Sequence, residues 1–599
     1  MHMKKLINIH ILFTCCMVLL TASCKKDFMD RYPQTSVPPE LFFKSEEDLS
    51  LYINGLLTIP GRGQYLQDQG TDDKATTGAV EIKSIMTGNP SSQNITSGWT
   101  WGRLRNINYF LDNYSKAQVT DAVKNHYAGL ARFYRALFYI DKVKRYSDVP
   151  WYSKTLNPSD TVDLYKPRDP RAVVMDSVMA DLAFAAANVK EDVPPGTPNV
   201  WVMKLVQART ALYEGTYRKY HGELNLAGTA DGFLQTAAQV AGEIISSGKF
   251  QIQSSYSALF TSASLAGNKE VLLASIYDQD LKRSGGNGEI LDYEMSPSRE
   301  LVQTYLMKDG SRFTAQPGYQ TFGFVQEFQN RDPRLMASFV YPGFVFATNS
   351  SNPKPYIQRL NKNFTGYHQL KGYVNSTESK VIASVDFPAY RYAEVLLIFA
   401  EAKAELGTLT QSDLDASVNL LRARVGLPNL DMGWANSNPD PVLVAKYSNV
   451  SGANQGVILE IRREKRVEFA MEGYRFDDLM RWAAGKELEK IPEGIYFPGL
   501  GNFDLTGDGI PDIKLVDKNT TIPDEDQKET NSLGEKLVYY KTGSFGENVT
   551  VYLKNGTAGG ATVTEVTPRQ FIDPQYYYRP IPFNQVTLNP ALKQIFGWQ

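Results

Sequence analysis

The sequence predicts a mainly α protein: paired helices form a scaffold, and a loop-rich part with short β-strands decorates it. Three observations carry this. Apolar residues recur at helical spacing over long stretches, best seen in 121–146, where Tyr127, Leu130, Phe133, Tyr134, Leu137, Phe138 and Ile140 form one stripe. Such helices come as neighbours joined by turns, with Gly248 and Gly407 at two of the closures. Strand-like runs are short and sit in stretches rich in Gly, Asn, Ser and Tyr, over 280–385 and 491–568.

In chain order, Lys4 and Lys5 precede an apolar run from Ile7 to Leu20 and the small residues Thr21-Ala22-Ser23. Residues 1–23 therefore form a secretory signal peptide. The run is short of the roughly 20 apolar residues that span a bilayer. Leu20-Thr21-Ala22-Ser23-Cys24 resembles a bacterial lipobox, whose cysteine becomes the acylated first residue. The strict pattern puts Leu three positions before the cysteine; here Thr21 holds that place and Leu20 stands one earlier. Cys24 is the expected lipidation site, with an ordinary signal peptide as the alternative. Residues 24–40, carrying Lys25, Lys26, Pro33, Pro38 and Pro39, read as a lipidated tether.

The body begins with Ser45-Glu46-Glu47-Asp48, acids at a helix start, with Leu49, Tyr52, Ile53 and Leu56 on one face. Residues 61–98, rich in Gly, Thr, Ser, Asn and Gln, read as a long loop region. Helices are predicted over 104–114, 121–146, 170–189, 200–220 and 233–247, then 387–406, 414–425 and 452–482; residues 270–277 read as a strand. In 393–407 small alanines admit a partner helix while large residues fill the gap, and such pairs suggest tetratricopeptide-like hairpins. Residues 41–268 and 269–599 are read as two regions packed as one body.

Composition narrows the function. The chain is 42% hydrophobic with a formal net charge of −2, which offers ample core and no basic face for nucleic acid. Cysteine occurs at 15, 16 and 24 alone, so the body has no disulfide, thiolate metal site or cysteine nucleophile. Its histidines, His126, His221 and His368, are scattered and give a zinc site or triad little to build on.

Ordered segments then carry a family resemblance. They include 296–302 (SPSRELV) with Asp309-Gly310, 330–334 (NRDPR), 390–397 (YRYAEVLL) with 400–402, and 419–427 (NLLRARVGL). The most specific is 464–482 (EKRVEFAMEGYRFDDLMRW); YYRPIP at 577–582 closes the pattern. In this order the chain resembles the SusD/RagB family of outer-membrane lipoproteins. The family's usual ERR-like start is here Glu460-Ile461-Arg462-Arg463, with the charge pattern kept. The resemblance implies a SusD-like fold with four tetratricopeptide-like helix pairs. It also implies a partner, a SusC-like TonB-dependent transporter, to which a captured oligosaccharide, or in some members a peptide, is passed. The anchor would hold the protein on the outer membrane, facing the exterior.

The residues permit such capture. Sugars want flat aromatic faces beside polar side chains. Aromatics in polar loops are Tyr65, Trp99, Tyr293, Tyr319, Phe322 and Phe324. Tyr65, Trp99, Tyr293, Tyr319 and Phe322 are the ligand candidates; for each the alternative is loop-anchoring packing, and Trp99 and Trp101 could lie beneath the following helix. The charges of 464–482 read as ion pairs and caps rather than a catalytic site, since a glycosidase needs two facing carboxyl groups. No cofactor is expected, with a structural calcium as the one candidate: Asp504, Asp508 and Asp512, spaced by glycines, resemble an acidic calcium loop, although the twelfth position is Leu515 rather than Glu, and the alternative is a solvated turn. Rivals to oligosaccharide capture are oligopeptide capture on the same scaffold, a surface glycosidase, and a lid that binds nothing.

Overall fold

The computed structural model describes residues 42–76, 78–277, 290, 296–348, 350–377 and 384–599. Its fold is mainly α. Helix α1 (Glu46–Leu56) starts at Ser45, which accepts from Asp48 N while Asp48 answers the cap backbone, a capping box. Helices α2 (Gly102–Asn113) and α3 (Asp121–Tyr146) follow, and α3 is capped by Thr120. The stripe of α3 buries Leu130, Phe133, Tyr134, Phe138 and Tyr139. Helices α4 (Arg171–Asn188), α5 (Val200–Tyr220) and α6 (Ala230–Ser246) complete two hairpins, α3 with α4 and α5 with α6, and α4 packs on α5. A Cβ on Gly215 would lie 2.9 Å from Leu234, so glycine lets α5 and α6 close up.

Later elements depart from the sequence reading. The predicted helix over 387–406 begins as a strand. β2 (Phe387–Arg391) pairs antiparallel with β1 (Val271–Ser275), and only then does α7 (Tyr392–Glu405) start. All five residues of β2 are buried, and Pro388 has no N–H to lose in the ladder, so pairing across sequence overrides local helical propensity. The helix predicted over 414–425 breaks into Gln411–Asp415 and α8 (Val418–Arg424). The stretch over 452–482 breaks into α9 (Gln455–Glu468) and α10 (Arg475–Arg481), with Met471 and Gly473 at positive φ between them. Helix α7 packs on α6, α8 and α9, whereas α10 packs on α5, so the later pairs are less regular than the first two.

The loop-rich part holds β3 (Glu493–Phe497), β4 (Gly501–Phe503), β5 (Ile513–Asp517), β6 (Val538–Gly543), β7 (Val551–Tyr552) and β8 (Gly560–Val563). Strands β4 to β7 form one sheet in that order, and β3 pairs with β8. One hydrophobic core runs from Phe43 to Trp598 and so draws on both halves of the chain; a second lies under the sheet.

Helix α9 is the polar spine of this core. Every residue from Gly456 to Glu468 is buried. A buried charge is tolerable only when paired. Glu464 meets Arg334 at 2.6 Å and Arg422 at 3.0 Å. Glu468 pairs with Arg391 at 2.9 Å and also with Arg424. Arg466 reaches Asp73 at 2.7 Å and Asp72 at 3.1 Å, and Arg475 holds Asp72 at 2.7 Å. Burial alone would raise the Glu468 carboxyl, but Arg424, Arg391 and Arg334 hold it well below the usual range. Residues 61–98, read as a long loop region, are in part threaded through this interior: Asp68, Asp72, Asp73 and Lys74 are buried. The charges of 464–482 thus pair, as their spacing implied, but mostly with distant segments rather than along one helix.

Candidate functional site

A cleft of about 920 Å³ opens between α3 and α5. Leu137, Asp141 and Lys144 follow the four- and three-residue spacing that puts them on one face of α3. Arg209 and Tyr213 face them from α5, and Tyr390 and Glu394 come from β2 and α7. Tyr474 joins them because the chain turns between α9 and α10. Gly473 makes that turn at φ 80°, and a Cβ there would lie 2.5 Å from Gln64. The rim is formed by residues 58–61, Gln64 and Arg103.

The floor is pre-organised. Both oxygens of Glu394 accept from the Arg209 guanidinium at 2.5 Å, a bidentate pair. The guanidinium lies 5.1 Å from the Tyr390 ring and 5.5 Å from the Tyr474 ring. The Tyr474 hydroxyl donates to Glu394 at 3.1 Å. Across the cleft, Lys144 and Asp477 pair at 2.6 Å and Lys144 lies 4.8 Å from the Tyr213 ring. Of the six carboxylates on the walls, five are engaged in ion pairs: Glu214, Glu394, Glu472, Asp477 and Asp478. Asp141 is in none among the described residues; desolvation by the walls pushes its carboxyl above the usual range, although the residue as a whole is exposed. Tyrosine rings beside fixed donors and acceptors suit a polar ligand with apolar faces.

The residues predicted from sequence scatter. Tyr65 is fully buried, edge-on to Phe260 and Phe387, with Gly372 against its ring; Trp99 is buried against Trp101 and Tyr146. These two are corrected from ligand platforms to core anchors, because their rings complete the core beneath neighbouring elements. Tyr319 and Phe322 are half-buried on a shelf edged against Phe313, away from the residues that line the cleft. Tyr293 and Cys24 lie outside the described residues. Sequence reasoning missed Tyr474, which is half-buried on the cleft, and Tyr213 and Tyr390, which belong to the core and reach the cleft only by an edge; all three sit in segments read as scaffold. No local signal separates a tyrosine facing a groove from one facing a core. It also missed Trp434, which is 53% exposed with Arg312 5.1 Å from its ring.

The predicted calcium loop is also redrawn. Asp504 accepts from Gly507 N and Gly509 N, Asp508 from Ile510 N, and Asp512 from Leu505 N and Thr506 N. The carboxylates pin the backbone of the turn, and Asp504 and Asp512 both accept from the Thr506 hydroxyl, at 3.4 and 3.3 Å. Among the described residues the carboxylates that do converge are Asp72, Glu300 and Glu487. Lys446 fills their centre, 2.6 Å from Asp72 and 3.2 Å from Glu487, so an ammonium stands where a metal ion would.

Comparison with known proteins follows the same lines. A SusD/RagB model, described as the SusD family, matches residues 274–598. SusD-like protein P2 of Formosa agariphila is 24% identical over 533 residues, covering 83% of this chain and 95% of that protein. SusD-like protein P38 of the same organism is 22% identical over 521 residues, 80% of this chain and 92% of that one. A solved SusD-like carbohydrate binding protein from Bacteroides fragilis superposes with a TM-score of 0.65 at 20% identity, covering 92% of this chain and all of that one. Another SusD-like structure from that species gives 0.64 at 20% identity over 93% and 98%.

Proposed function

The chain belongs to the SusD family, which supports a nutrient-binding role, and from that premise we propose that it is a surface lipoprotein that captures oligosaccharide in the α3–α5 cleft. In this reading Cys24 anchors it to the outer membrane, and a SusC-like TonB-dependent transporter receives the cargo. Among the described residues no helix is long and apolar enough to cross a membrane. Modest affinity suffices, since tethering beside the transporter raises the effective concentration.

The observation that carries the reading is the state of the cleft carboxylates. A glycosidase needs two carboxyl groups, one to protonate and one to attack or activate water. Here Asp141 is, among the described residues, the one wall carboxylate outside an ion pair, while half-buried Tyr474 and the Arg209–Glu394 pair offer a fixed binding surface. The cleft therefore favours capture over hydrolysis. The test is a titration of purified protein against oligosaccharides and oligopeptides, with Tyr474→Ala as the control. Glycan binding is expected, without product release, and weakened in the variant. Exclusive peptide binding, or release of shortened glycan, would overturn the reading.

A further inference from the structure

Eight cations line the same cleft, and six of them are matched: Lys144, Arg145, Arg171, Arg209, Lys465 and Arg481 each meet a carboxylate. Arg103 and Lys142 meet none among the described residues. Arg103 lies at the start of α2 and is exposed; its Nη2 donates to Leu56 O at 3.0 Å, its guanidinium lies 5.8 Å from the Tyr134 ring, and no carboxylate meets it among the described residues. Lys142 is only 6% exposed. Its ammonium donates to the Gly98 carbonyl and lies 4.9 Å from the Phe138 ring and 5.3 Å from the Trp101 ring. A single carbonyl leaves most of an ammonium's hydrogen-bonding capacity unused, and burying such a charge without a counter-ion is costly. Burial pushes Lys142 down to about 8. The nearby acids do not cancel the pair. Asp477 is held by Lys144, and Glu81 by Arg145 and Arg579. Asp141 feels Lys144, Lys142 and Arg103 but contacts none of them within ion-pair distance.

Among the described residues this wall thus holds two cations without a carboxylate partner and one exposed carboxylate without a cation. A neutral sugar can accept from both cations through hydroxyl oxygens, but it leaves their charge uncompensated. We propose that the cleft is specific for acidic oligosaccharides, whose carboxylate or sulfate group sits against Arg103 and Lys142 while a ring hydroxyl of the same ligand donates to Asp141. The proposal rests on the oligosaccharide reading of the cleft and adds to it the class of sugar. A charge-assisted contact is worth more than a neutral hydrogen bond, so the anionic group would dominate selectivity.

The experiment is a calorimetric titration of the purified protein with oligogalacturonate, with a sulfated galactan oligosaccharide, and with neutral malto- and xylo-oligosaccharides. At least one acidic arm is expected to bind about tenfold tighter than the neutral ones, with affinity falling as salt rises. The two acidic arms say whether carboxylate or sulfate is the group recognised. Arg103→Ala and Lys142→Met should each reduce acidic binding about tenfold and lower any neutral binding by a clearly smaller factor. Arg103 is exposed, so its variant keeps the fold even if the Lys142 variant does not. Neutral binding equal to acidic, or acidic binding indifferent to Arg103→Ala, would overturn the proposal while leaving oligosaccharide capture standing. Absence of binding in every glycan arm would overturn capture itself.

Discussion

Arg391 and Arg103 are the same side chain in two regions of this molecule. Arg391, at the end of β2, is 1% exposed and meets Glu270, Glu468 and Glu472 at 3.0, 2.9 and 2.7 Å. Arg103, on the rim of the cleft, is exposed and meets no carboxylate. Around α9 the chain brings acids from distant segments until each buried cation has its partner. Along the α2–α3 wall it stops short. Charge density therefore does not mark the candidate site. Absence of a carboxylate partner does not mark it alone either, since buried Arg331 and Arg62 are held by backbone carbonyls; what sets Arg103 apart is that it lacks such a partner and is exposed on the cleft, where a ligand can reach it. The same density around α9 fixes register: with Asp72 and Asp73 on Arg466, the N-terminal half has one way to seat on the C-terminal half.

The largest expected effect breaks the spine. Arg391→Ala leaves three carboxylates facing an empty space and should destabilise by about 3–5 kcal/mol in denaturant unfolding, whereas Arg103→Ala should stay within about 0.5 kcal/mol. Equal costs would erase the distinction between the two regions. Next comes the contrast between two tyrosines that look alike in sequence. Tyr65→Ala removes a fully buried ring and should cost about 3 kcal/mol; Tyr319→Ala, on its half-buried shelf, should cost well under 1 kcal/mol.

The smallest and most graded effect is acid sensitivity. Burial would raise Glu401, but Arg481 brings it down to about 2. A carboxyl depressed in the folded state contributes stability above its unfolded value, near 4.5 here, and loses it as pH falls toward about 2. The melting temperature should therefore hold steady down to about pH 5 and fall steadily below it. A flat profile through that window would mean that the spine carboxylates are not ionised partners.

Much of the scaffold was legible before folding. The bounds of α3 and α5 agree with the periodicity, and Ser45 with Asp48 was readable as a helix start. The charges of 464–482 were readable as pairs. Their partners were not, since Asp72 lies some four hundred positions from Arg466 and no local pattern connects them. The candidate site was hardly legible. Tyr65 and Trp99 stand among polar residues yet pack inward, while Tyr474 stands in a scaffold-like segment yet lines a groove.

The sequence by itself determined the helical class, the family and the long hairpins, because helix periodicity, caps and ordered motifs are local properties written in neighbouring residues. Tertiary structure alone decided that 387–391 would be a strand, that 469–474 would break a helix, and which charges would be left without a partner. Those outcomes depend on what a segment meets across space. β2 needs β1 to pair with, Tyr474 needs the turn at Gly473 to reach the floor, and Arg103 with Lys142 stand unpaired only because every nearby acid is taken by another base or lies beyond ion-pair reach.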